Sequence, residues 1–84
     1  MAVQIYVGNL NYRMTEEALQ ELFAKYGEVV SAKIIKDQYS GRSKGFGFVE
    51  MENKDDGEKA VQELNESEVD GRNIRVNFAR PRRE

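Results

Sequence analysis

Lys44 to Met51 read K-G-F-G-F-V-E-M, and the alternation within this stretch decides the fold. In a β-strand, successive side chains point to opposite faces of the sheet. If Val49 and Met51 enter a core, Gly45 and Gly47 go with them, and Lys44, Phe46, Phe48 and Glu50 face the other way. The opposite assignment buries the charges of Lys44 and Glu50 without partners, at several kcal/mol each. Exposing a phenylalanine instead loses only about 1.5–3 kcal/mol. The strand therefore turns two aromatic rings toward solvent, and the sheet that holds it is covered by helices on one side only.

The flanking segments build such a sheet. Val29 to Asp37 has period two, which predicts Val30, Ala32 and Ile34 on one face and Ser31, Lys33 and Ile35 on the other. The polar connection Gln38 to Ser43 contains Ser40-Gly41, so the two strands form a hairpin. Val3–Val7 is a short apolar run ended by Gly8-Asn9, with Ile5 and Val7 inward and Tyr6 outward. Asp70-Gly71 marks a turn before a last strand, Asn73–Phe78, with Ile74, Val76 and Phe78 on one side. Between these lie two helices. Thr15 is an N-cap followed by Glu16 and Glu17, where the helix dipole favours acid; Leu19, Leu22, Phe23 and Tyr26 then recur at helical spacing until Gly27. Asn53 caps the second helix, whose stripe is Gly57, Ala60, Val61 and Leu64. The order strand, helix, strand, strand, helix, strand predicts an α+β fold: a βαββαβ ferredoxin-like sandwich, with both helices packed on one face of a four-stranded antiparallel sheet. The small glycines beneath Phe46 and Phe48 suit tight packing of helix on sheet.

Two of these segments carry a resemblance. Lys44–Met51 resembles the ribonucleoprotein octamer of RNA recognition motif (RRM) domains, K/R-G-F/Y-G/A-F-V-x-F/Y. IYVGNL, Ile5 to Leu10, resembles the companion hexamer on the first strand. The likeness runs from about Gln4 to Arg80, with small single-RRM bacterial proteins as the nearest comparison. Met51 departs from the pattern where an aromatic is usual, but its parity is inward. The resemblance implies that Tyr6 and Phe48 each stack one base, that Phe46 packs against the intervening sugars and that Lys44 meets the phosphate. Lys33, Arg75 and Asn77 share the outward face. Arg42 in the connection and Arg80 just before the tail add charge for phosphates. The expected partner is single-stranded RNA of about two to four nucleotides, bound by a monomer without catalysis, metal, cofactor or membrane. The alternatives are a protein-interaction module of the same fold or a single-stranded DNA binder. Residues 1–80 read as the single RRM domain and 81–84 as a short charged tail.

Composition narrows the other possibilities. The chain has 84 residues, with 13 Lys+Arg, 15 Asp+Glu, no His and no Cys. Disulfides, thiolate metal sites, a Cys nucleophile and the usual general base near neutral pH are thereby excluded. Gly45-x-Gly47 begins like a dinucleotide fingerprint, but residue 50 is Glu and the glycines lie within a strand rather than at a strand-to-helix turn. The net charge of −2 opposes nucleic-acid binding until it is divided. Residues 15–26 and 53–68 hold nine acidic and three basic side chains; the remainder holds six acidic and ten basic. Acid gathers on the helices and base on the sheet side and tail. Tyr12 and Tyr39 lie in connections and read as packing residues. No stretch has the length of a membrane helix or the pattern of a signal peptide, which predicts a cytoplasmic protein if the source is bacterial and a nuclear or cytoplasmic one if it is eukaryotic.

Overall fold

A computed structural model of the chain describes residues 2–11, 13–36, 39 and 43–79. Strand β1 (Val3–Gly8) leads to helix α1 (Glu16–Ala24), then β2 (Val29–Lys36), β3 (Ser43–Met51) and helix α2 (Lys54–Leu64). A two-stranded hairpin follows, β4 (Glu68–Val69) with β5 (Arg72–Asn73), and β6 (Arg75–Phe78) ends the sheet. The sheet has the order β2-β3-β1-β6, and each neighbouring pair is antiparallel. This is the expected βαββαβ sandwich with a small hairpin added.

The helices form where their caps and stripes direct. The Thr15 hydroxyl accepts from the Ala18 amide at 3.1 Å, and α1 buries Leu19 and Phe23 completely. Leu22 and Tyr26 pack at the margin of the core. The Asn53 carboxamide accepts from the Asp55 amide at 2.8 Å and from Asp56 at 3.4 Å, starting α2 with Gly57, Ala60 and Leu64 inward. An Asn53→Ala variant is expected to lose about 1 kcal/mol, or about 4–8 °C in Tm, with the same folded spectrum. Thermal unfolding followed by circular dichroism checks it, and an unchanged Tm would show that the cap is dispensable.

Ile5 and Val7 of β1, Leu10 and Met14 of the loop after it, Ile34 of β2, Val49 and Met51 of β3, and Ile74 and Val76 complete the core. Two side chains at helix ends, Glu16 of α1 and the α2 C-cap Asn65, also reach outward to the sheet margins. The Glu16 carboxylate accepts from the Ile34 amide of β2 at 3.0 Å, and the Asn65 carboxamide accepts from the Val76 amide of β6 at 3.0 Å. Each ties a helix end to an outer strand.

Several expectations are corrected. Val29, not Val30, faces Met51, because the pairing slips between Val29 and Ser31. The bulge carries Val30 outward to 47% exposure while Ala32 and Ile34 stay on the core side. The last strand is interrupted at Ile74, whose amide donates to Ser67 and whose carbonyl accepts from Glu66, so it ties the hairpin region down instead of pairing with β1. Asp70 and Gly71, at φ 52° and 81°, form the hairpin turn that their sequence suggests. Tyr39 is 97% exposed and packs into no core; Tyr12 lies outside the described residues. The glycines of β3 also have a different reason from helix packing. A Cβ on Gly47 would strike the Lys33 carbonyl and lie 3.1 Å from the Ile34 Cα, so the space it saves is between strands. Gly45 has φ +86°, a backbone that other residues rarely adopt.

Candidate nucleic-acid interface

The side of the sheet away from the helices is built by register. Phe48 pairs with Lys33 on one side and Tyr6 on the other, and Tyr6 pairs in turn with Asn77. Lys33, Phe48, Tyr6 and Asn77 therefore stand side by side across all four strands, on one face. One step along β1, Gly8 pairs with Arg75. One step the other way, Gln4, Glu50 and Ser31 form a polar row. The parity argument holds over Phe46–Met51: Val49 and Met51 are fully buried, whereas Phe46 and Phe48 are half-buried and Tyr6 is 36% exposed.

The three rings form one cluster. Centroids lie 6.0 Å apart for Tyr6 and Phe46, 5.9 Å for Tyr6 and Phe48, and 6.2 Å for Phe46 and Phe48. Phe48 meets Phe46 at 90° and Tyr6 at 66°, while Tyr6 and Phe46 are tilted by only 31°. The two contacts of Phe48 are of the edge type that ring quadrupoles favour, and Tyr6 and Phe46 are tilted, so no two of the rings lie parallel and stacked. Three aromatics on an uncovered sheet are an apolar patch of the sort that marks an interaction site.

Cations and amides frame the cluster. Lys33, Arg75 and Asn77 are all exposed, and the Asn77 carboxamide oxygen accepts from the Phe78 amide at 2.9 Å. Ile35, predicted on this face, is half-buried beside the second slip of β2, between Ile34 and Lys36. Arg42, Arg80 and the Lys44 side chain lie outside the described residues. Strand parity does not place Arg72, but the hairpin does: its guanidinium donates to the Asn9 carboxamide oxygen at 2.9 Å, just beyond the end of β1. Asn9 also donates to the Asn73 carbonyl at 2.7 Å, and Asn11 to the Asp70 carbonyl at 3.1 Å. The loop after β1 is thus fastened to the hairpin, with two guanidiniums at that end of the face. Asp70-Gly71 signals the turn in sequence, but nothing there shows which loop it meets.

Among the described residues no three His, Cys, Asp or Glu side chains gather closely enough to hold a metal ion, and no helix is long and apolar enough to cross a membrane. What the face can do is take flat apolar groups on its rings and anionic groups at its borders.

The sequence pattern of the RNA recognition motif family matches residues 5–75. The chain is 45% identical over 82 residues to RbpE of Nostoc sp., covering 98% of this chain and 83% of that protein. It is 51% identical to the crystal structure of RNA binding protein PG1, covering 98% of this chain and 99% of that one with a TM-score of 0.92. To a chain of the Sxl-lethal protein/RNA complex it is 30% identical, covering all of this chain and 50% of that one, with a TM-score of 0.90. Against several plant and fungal relatives it spans only 47%, 23% and 28% of their length. The two motifs on adjacent central strands, the matching sheet and these likenesses together make the chain a member of the RNA recognition motif family.

Proposed function

We propose that the chain binds short single-stranded RNA across the open face of its sheet. The observation that carries this reading is the cluster of Tyr6, Phe46 and Phe48, with ring centroids no more than 6.2 Å apart on the face of the sheet away from α1 and α2. Tyr6 and Phe48 each stack a base, Phe46 packs against the sugars between them, and Lys44 meets the intervening phosphate. Lys33, Arg42, Arg75, Asn77 and Arg80 supply phosphate and base-edge contacts around the rings. The binding of RNA by structural neighbours of 51% and 30% identity supports the choice of ligand. No chemical step is part of the proposal, and one monomer makes one site.

The magnitudes set the expected affinity. Stacking is worth about 1–3 kcal/mol per base, so two bases supply about 2–6 kcal/mol. Micromolar binding needs about 8 kcal/mol, and the border contacts provide the difference. The acidic helices lie behind the sheet, away from the strand.

The test is a fluorescence-anisotropy titration of a randomised short RNA, and of the matching DNA, between about 50 and 200 mM salt. The expected result is micromolar binding of RNA with a mild salt dependence, a slope of about −0.7 per phosphate neutralised. A slope equivalent to about two or three phosphates fits the few cations that border the rings. No binding at low salt would overturn the proposal and leave a protein partner to explain the exposed rings. Equal or tighter binding of DNA would move the ligand class to single strands in general.

A further inference from the structure

Gly8 shares its strand parity with Tyr6 and so faces the open side of the sheet, yet it is buried. What covers it is Tyr6. A Cβ built on Gly8 would lie 2.5 Å from the Tyr6 hydroxyl oxygen and 2.9 Å from ring atoms Cε2 and Cζ, and these are its three nearest neighbours. The tyrosine ring is therefore laid along β1, over its neighbour two residues on, with its hydroxyl toward the Asn9 end. Across the strand pair Gly8 faces Arg75 on β6. The β1–β3 register ends at Val7 and Gly47, and the Phe46 ring of β3, its centroid 6.0 Å from that of Tyr6, flanks the tyrosine on the other side.

Glycine is not needed here for its backbone. Gly45 and Gly71 have positive φ, and Gly8 does not, so any residue could adopt its conformation. What Gly8 contributes is the absence of a side chain. We infer that Gly8 is a positioning residue for the open face: it leaves a bed in which the Tyr6 ring lies between Phe46 and Arg75, and it thereby sets the angle at which Tyr6 meets a base. The inference rests on the RNA reading of this face. It also explains why Tyr6 and Phe46 are tilted by only 31° and offer similarly directed surfaces, whereas Phe48 stands at 66° and 90° to them.

The three atoms nearest a methyl group at position 8 all belong to the far end of the Tyr6 side chain, which can swing aside without moving the backbone. Gly8→Ala is therefore expected to fold with its thermal stability kept, since exchanging glycine for alanine at an ordinary φ also narrows the unfolded ensemble. The ring must rise off the strand, and the shared Tyr6–Phe46 platform is lost.

A double-mutant cycle on short-RNA affinity tests this with Gly8→Ala, Tyr6→Ala and the pair together. Tyr6→Ala is expected to weaken binding about ten-fold, as the loss of one stacked base predicts. Gly8→Ala alone should weaken it about five-fold, and the pair should be no weaker than Tyr6→Ala. In the wild-type protein without RNA, nuclear magnetic resonance should show the Gly8 Hα protons shifted upfield and in contact with the Tyr6 ring. Wild-type affinity in Gly8→Ala, an effect of Gly8→Ala that persists in full without the tyrosine ring, or absence of the ring contact would each overturn the inference. Unchanged affinity in Tyr6→Ala would instead overturn the RNA reading of the face, while the ring contact with Gly8 is measured independently of any ligand.

Discussion

A Phe46→Ala/Phe48→Ala double variant is expected to bind short single-stranded RNA ten- to hundred-fold more weakly than the native chain. Each ring lost from a stacking surface costs about 1–3 kcal/mol, and about 1.4 kcal/mol is ten-fold in affinity. Phe48 has the larger share because it occupies the centre of the row, between Lys33 and Tyr6. Phe46 adds less, through the sugars and through its support of Tyr6, whose ring centroid lies 6.0 Å away. Both side chains stand outside the core on a half-exposed face, so truncation leaves no buried cavity. The variant should keep the native far-ultraviolet spectrum and lose about 1–2 kcal/mol of stability through its edge-to-face contacts. Anisotropy titration beside the native protein measures the effect. A folded double variant with native affinity would place the ligand elsewhere on the molecule.

The second large effect concerns stability. Gly47→Ala should destabilise the fold by about 3 kcal/mol, the upper end of the cost of overpacking a tight interior. The methyl group would strike the Lys33 carbonyl oxygen and press on the Ile34 backbone, and Gly47 is paired with Ile34 in register. Neither obstacle is a side chain that can rotate away, so relief requires β2 and β3 to separate. For a chain of 84 residues the whole stability is about 4–12 kcal/mol, and a loss of this size shifts a urea transition by a large fraction of its midpoint. The comparison with Gly8→Ala is informative: the same added methyl meets backbone at position 47 and the tip of a movable ring at position 8. A loss below about 0.5 kcal/mol at position 47 would mean that the strands yield as easily as the ring does.

The parts legible in the sequence share a physical trait: a mistake in reading them would have been costly. A one-residue slip of β3 exchanges Val49 and Met51 for Lys44 and Glu50 in the core, so its alternation has one affordable assignment. Thr15 and Asn53 are legible for the same reason, since few residues satisfy a helix start. Val29 and Val30 carry no such penalty. Either valine can enter the core, and only the bulge in the pairing chooses between them. Ile74 is buried whether or not its strand is continuous, so its pattern hides the break. The candidate face divides in the same way. Tyr6, Phe46 and Phe48 follow from parity, but the lie of the Tyr6 ring over Gly8 depends on side-chain torsion, and the arrival of Arg72 beside Asn9 depends on a contact 63 residues apart.

The ties from Glu16 to Ile34 and from Asn65 to Val76 bear on how a partner can approach. An open sheet offers two routes of attachment: face-on, through side chains, or edge-on, through spare amides and carbonyls that accept an added strand. Here both borders are blunted. The outer strand β2 has one amide occupied by a carboxylate and is bent by two irregularities, and β6 is four residues long with an amide occupied by Asn65. A peptide seeking to extend the sheet, or another copy seeking to polymerise along it, meets bent and partly occupied borders. The aromatic surface is then left to ligands that arrive broadside, such as a flexible polymer with splayed planar groups, and a sticky face is carried without an equally sticky rim.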